Sequence, residues 1–170
     1  MDASLKIRHA VESEIRKAFR GVTLGQGLSL AQLAAADTVV QNENSISIAH
    51  GQITEDWAQI LLAELESDHI ALLDAFGFRY YIPALMLSAL NCYEPGTMRV
   101  ISTLGGLYPK QDSWDYDMHR YSLLNLAQKA AIARFLQALP DLIELEFEDQ
   151  IIIQRALRNY WGQYLQTTAE

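Results

Sequence analysis

Asp112, Asp115, Asp117 and His119 fall within the eight residues DSWDYDMH. Oxygen ligands at such short, regular intervals are what a calcium loop requires. Counted from Asp115, however, the sixth position is Arg120 where that loop needs glycine, and the twelfth is Leu126 where it needs glutamate. The stretch therefore reads as a polar surface loop. A second candidate is GVTLGQGLSLAQ, which puts Gly21, Gly25 and Gly27 just ahead of a helix start. Glycine-rich loops at helix N-termini cradle phosphates through converging backbone N–H groups. A dinucleotide fingerprint follows a strand, though, whereas a helix precedes these glycines, and a phosphate-binding Gly-Lys-Ser/Thr needs a lysine that is absent here. The glycines are expected to make a corner, with a helix C-cap at Gly21 and positive-φ turns at Gly25 and Gly27.

The four histidines are His9, His50, His69 and His119. No two are spaced i,i+3 or i,i+4, so no helix face displays a metal-binding pair. Cys92, the single cysteine, would be a nucleophile beside His69 or His119, but a lone cysteine is more often a small buried hydrophobe. No Gly-x-Ser-x-Gly elbow occurs. No catalytic group, cofactor or metal is expected on these grounds. An enzyme would have to assemble its site across helices from His50, Asp56, His69, Arg79 and His119.

A binding face has better candidates. Asp74, Phe76, Arg79 and Tyr81 cluster around a predicted turn, and an exposed aromatic beside an arginine suits a protein contact. Glu144, Glu146, Glu148 and Asp149 put four carboxylates into six residues. They repel one another unless solvent, a helix N-terminus or a partner offsets the charge. The net charge of −8 disfavours phosphate backbones and anionic membranes, so neither nucleic acid nor a membrane is an expected partner; a basic protein is. Arg8, Arg16, Lys17 and Arg20 form the only local basic cluster. With one cysteine no intrachain disulfide can form, which fits a reducing compartment. The N-terminus MDASLKIRHAVESEIRK lacks an apolar signal core, and IPALMLSAL is too short to span a bilayer. A cytoplasmic protein is expected.

The elements that must position these residues are mostly helical. At 170 residues, half of them hydrophobic, the chain suits one globular domain over 1–170. Ile7, Val11, Ile15 and Phe19 recur every four residues and predict a helix from Ala3 to Arg20. Ser29 and Gln32 make a capping box opening a second helix, from Leu30 to about Val40, with Leu28 and Leu33 at the staple positions. Thr54, followed by Glu55 and Asp56, signals a third helix ending near Asp68, with Trp57 in its core face. Ile70 to Ile82 is predicted as a β-hairpin, with Asp74 and Gly77 at the first and fourth positions of its turn and Asp74 and Arg79 forming a cross-strand pair. Tyr80 and Tyr81 would then point to opposite faces. Pro83 starts a short fourth helix. MRVISTL is predicted as a short strand. Asn125 and Gln128 open a fifth helix that Pro140 breaks, and a sixth runs from about Leu142 to Leu165, unless ELEFED opens as a strand. The fold class is mainly α (α+β), about six helices with one small hairpin near 70–82.

AFRGVTLGQGLSLAQ, EDWAQI, LLDAFGFRYYIPALM and LLNLAQKAAIARFL together resemble a bacterial domain-of-unknown-function family of small stand-alone proteins. Its pattern runs Gly-Val-x-Leu-Gly, Asp-Trp, then Leu-Asp-x-x-Gly-Phe-Arg-x-Tyr-x-Pro and a terminal Gln-containing helix, spread here over about residues 18–139. The resemblance implies a bacterial source and a stand-alone domain, and it carries no catalytic residue. The expected function is therefore that of a non-enzymatic acidic protein-interaction module, of which an immunity- or antitoxin-like neutraliser of a basic toxin is one concrete form. The alternative is the small-molecule or metal-dependent enzyme named above.

Overall fold

A computed structural model describes residues 3–41 and 55–166. Among them are seven α-helices and no strand, so the fold is all-α. In order these are α1 (Ala3–Ala18), α2 (Leu30–Gln41), α3 (Ala75–Asn91), α4 (Met98–Gly106), α5 (Trp114–Tyr121), α6 (Leu126–Leu142) and α7 (Phe147–Asn159). Short 3-10 turns cover Trp57–Gln59, Leu62–Leu65, Asp68–Leu72, Gln111–Ser113 and Trp161–Tyr164. No helix among the described residues is long and apolar enough to cross a membrane.

α3 is the centre of the fold. Thirteen of its seventeen residues are buried, on every side of the helix. This is the segment predicted as a hairpin followed by a short helix at Pro83, and the structure corrects both. Asp74 and Gly77 are not turn positions. Asp74 is the N-cap of α3, and its Oδ1 accepts the Gly77 N–H at 2.7 Å. The spacing Asp-x-x-Gly serves a hairpin turn and a helix cap equally well. A helix buried all round shows no polar stripe either, so its aromatic run looks like strand. Pro83 lies inside α3. Its missing N–H removes the donor to the Arg79 carbonyl, a cost of about 3 kcal/mol that the burial of the surrounding turns outweighs.

Three further expectations change for related reasons. The predicted strand MRVISTL is helical, in α4. The third helix breaks into the 3-10 turns between Trp57 and Leu72, and Asp56 caps the first of them through the Ala58 N–H at 2.9 Å; Thr54 lies outside the described residues. α6 continues through Pro140 to Leu142, while α7 starts only at Phe147, and ELEFED forms no strand.

The local signals hold where they depend on neighbours three or four residues away. Both capping boxes form: Gln32 N–H donates to Ser29 Oγ and Ser29 N–H to Gln32 Oε1, and Asn125 and Gln128 make the same reciprocal pair. Val11, Ile15 and Phe19 are buried, although Ile7 is exposed. Gly21 and Gly25 have positive φ, whereas Gly27 does not.

Distant side chains then close the helix ends. Arg8 donates to the carbonyls of Leu90 and Leu142, so one guanidinium serves the C-termini of both α3 and α6, where a cation is favoured. Gln128 donates to the Ala18 carbonyl and Trp57 Nε1 to the Phe19 carbonyl, at the end of α1. Tyr121 and Trp161 cap α4 through the carbonyls of Gly106 and Leu107.

Candidate functional site

The two predicted groups of binding residues lie at opposite ends of α3. Asp74, Phe76 and Arg79 belong to its first turns. Asp74 is spent on its cap, and Arg79 donates to the Leu123 carbonyl at 3.4 Å rather than pairing with Asp74. Phe76 is 37% exposed, but Tyr81 is only 4% exposed, and its hydroxyl accepts the Leu30 N–H at the start of α2. Tyr80 is buried as well. Tyr81 is thus an internal cap and not a surface anchor.

The acidic run stands at the other end. Tyr93 follows the C-terminus of α3, about 22 Å along the helix axis from Phe76. The Tyr93 hydroxyl donates to Asp149 Oδ2 at 2.6 Å and accepts the Glu146 N–H at 3.0 Å. One phenol therefore pins the first turn of α7 to the end of α3. Glu146 is the residue that precedes α7, and Glu148 and Asp149 occupy its first turn, where carboxylates are favoured by the helix dipole. Asp149 is half-buried beneath Tyr93, while Glu144, Glu146 and Glu148 face solvent.

Phe147 was missed by sequence reasoning. It stands between Glu146 and Glu148 and is 73% exposed, the most of any large hydrophobic among the described residues. A signal existed. At about 100° per residue, Phe147 lies on the opposite side of α7 from the buried Ala156. Only the knowledge that Ile153 and Ala156 form the inner face makes that visible.

Burial first, and then the hydrogen bond to Asp149, push the Tyr93 phenol up to about 12. An unfolded tyrosine titrates near 10. Below that the clamp's contribution is complete. Between about 10 and 12 the native state holds a proton that the unfolded chain has lost, so stability falls as pH rises through that window. The difference between ultraviolet titrations of the wild type and Tyr93→Phe is expected to show a phenol with a midpoint near 12. A midpoint near 10 would show that no such clamp exists in solution.

The residues of the enzymatic alternative have separate environments. His69 Nε2 is 3.5 Å from Asp37 Oδ2 and its Nδ1 is 2.9 Å from Asp68 Oδ1. Ser67 Oγ lies 3.4 Å from the same Nδ1 and accepts the His69 backbone N–H. Because Asp68 holds that nitrogen more closely, the group lacks the nucleophile–base–orienter series of a hydrolase. Asp56 caps a 3-10 turn, Arg79 binds a carbonyl and His119 is exposed on α5. His50 lies outside the described residues. Cys92 is exposed, contrary to the expectation of a buried hydrophobe. Asp117 is buried and accepts from Ser113 Oγ at 2.8 Å, and DSWDYDMH runs from a 3-10 turn into α5 rather than forming a loop. No three His, Cys, Asp or Glu side chains among the described residues gather into a metal-holding group.

An open depression of about 210 Å³ lies between α1, the 3-10 turns and α3. Its walls include Trp57, Ile60, Leu62, Leu65 and Leu87, with Arg16 at one side.

A family model described as a family of unknown function (DUF6714) matches residues 7–165. No curated protein and no solved structure matches the chain. The residues that carry the resemblance do structural work: Asp56 and Asp74 cap, Trp57 and Tyr81 close helix ends, and Gln128 holds both its own cap and α1.

Proposed function

The chain belongs to this family of unknown function, and we propose that it acts by binding a basic protein at the start of α7. A single observation carries the reading: the exposed Phe147 projects from a turn whose flanking Glu144, Glu146 and Glu148 are also exposed. An aromatic anchor ringed by charge of one sign offers apolar contact at the centre and electrostatic steering at the rim. The Tyr93 clamp supports it further, because a pinned turn loses little freedom on binding. Neutralisation of a basic toxin in a bacterial cytoplasm is the concrete form of this reading.

The test is capture from a lysate of the source cells at low and high salt. Wild type is expected to retain a basic protein at low salt and release it as salt rises. Glu144→Lys with Glu148→Lys should slow association, and Phe147→Ala should speed release by roughly tenfold or more, the effect of an anchor worth about 1.4 kcal/mol. A partner retained equally by both variants would place the binding face elsewhere.

A further inference from the structure

We propose that His69 is a pH-operated latch, which holds α2 to the turn Asp68–Leu72 when its imidazole is protonated and loosens it when the ring is neutral. The ring stands between two carboxylates from different elements. Its Nε2 lies 3.5 Å from Asp37 Oδ2 of α2, and its Nδ1 lies 2.9 Å from Asp68 Oδ1 of its own turn. The His69 side chain is 16% exposed, against 56% for that of Asp37. An imidazolium carries N–H donors on both nitrogens and a charge that offsets both carboxylates, whereas a neutral ring has one donor and no charge. Ser67 Oγ, 3.4 Å from Nδ1, gives the neutral ring a hydroxyl to bond in place of Asp68. Asp37 then faces an uncharged ring.

α2 is a helix on which such a contact weighs heavily. Its first residue is well held, because Leu30 is buried and its N–H donates to the Tyr81 hydroxyl. From 31 to 38 no residue is buried, though Leu33 packs against the core. Segments with so few buried contacts open locally at little cost. Asp37 also lies within about one turn of the C-terminal end of α2, where a carboxylate is disfavoured and a cation favoured. The last turn of α2 has no basic residue of its own. Protonated His69 supplies that cation from another element.

The other charged groups against this turn are engaged elsewhere. Arg99 of α4 pairs with Glu66 and Glu94. Arg120 of α5 lies over the rings of Phe78 and Tyr116 and donates to the Ile70 carbonyl, and the Tyr116 hydroxyl donates to that of Ala71. Carboxylates and guanidiniums keep their charge between about pH 5 and 8, so the imidazole is what changes at this contact. Linkage gives the direction. Docking that favours the protonated ring is strongest at low pH and weakens as pH rises through the range in which histidine loses its proton. Because Leu30 stays pinned, α2 should loosen from its C-terminal end.

Amide hydrogen exchange of the whole chain at about pH 5 and about pH 8, corrected for the intrinsic rate at each pH, tests the latch. Protection of the amides at 34–41 in α2 is expected to fall about fivefold between the two, the effect of one ion pair near the upper end of the range for exposed pairs. Protection in α6 should change less. His69→Gln keeps a donor that cannot charge. Asp37→Asn removes the charge across the two elements and leaves Asp68 in place. Asp37 is exposed, so this variant should fold, as circular dichroism will verify, and it carries the test even where His69→Gln is disruptive. In both variants α2 should be protected to the same degree at the two pH values. A wild type with pH-independent protection of α2, a fall shared equally by α6, or a pH dependence that survives in Asp37→Asn or in folded His69→Gln would each overturn the latch.

Discussion

Trp161→Ala is expected to lower stability by about 3–5 kcal/mol, the range for removing a large aromatic from a core. Trp161 is fully buried, with its ring centroid 4.8 Å from those of both Tyr121 and Tyr160 and 6.2 Å from that of Tyr164. Its Nε1–H donates to the Leu107 carbonyl at 2.7 Å, at the C-terminus of α4. Alanine would open a cavity among three aromatic rings and strip a buried carbonyl of its donor at the same time. Trp161→Phe keeps most of the packing and loses only the donor, so it should cost about 1–3 kcal/mol. Urea denaturation at 25 °C, followed by circular dichroism, measures both. An alanine variant within 1 kcal/mol of wild type would mean that the aromatic cluster is not a determinant of the fold.

Gly27→Val is expected to cost about 2–3 kcal/mol, the upper part of the range for overpacking. For a chain of this size that lowers Tm by roughly 4–12 °C. The cause is close approach rather than backbone angle, because Gly27 is not among the glycines with positive φ. A Cβ added there would lie 2.8 Å from the Gly77 amide nitrogen, 2.8 Å from Phe76 Cβ and 3.1 Å from Leu24 Cδ1. The Gly77 nitrogen cannot retreat cheaply, since it also donates the cap to Asp74. Gly105→Ala is the control. Nothing lies within 4 Å of its added Cβ, and it sits in α4, where alanine is favoured by up to about 1 kcal/mol. Opposite signs at the two positions, read by thermal unfolding, support the close contact between the glycine corner and α3. A loss at Gly105 matching that at Gly27 would mean that glycine is needed generally and not for this contact.

The same corner shows where local reasoning reaches. Gly21 and Gly25 have the positive φ expected of them, but Gly27 is required by a residue fifty positions away. In the hairpin that the sequence predicts over Ile70 to Ile82, a left-handed backbone at Gly77 would be what resists valine. Gly77 is helical, and what resists a side chain there is Leu73 Cδ2, 2.8 Å from the added Cβ, with the Leu28 carbonyl at 3.4 Å.

Legible along the chain were the helix starts at Ser29 and Asn125 and the buried stripe of α1 through Val11, Ile15 and Phe19. So was the acidic run now found at the start of α7. These features follow from partners within four residues, where hydrogen bonding and periodicity act without reference to the rest of the chain. Tertiary structure alone decided that Asp74 opens a helix, that Tyr81 is internal while Phe147 is exposed, and that residues from 16, from 57–65 and from 84–88 enclose one hollow. An aromatic run such as FGFRYYI suits a strand and a helix buried on all sides alike, and only the segments that surround it, with the burial they provide, choose between them.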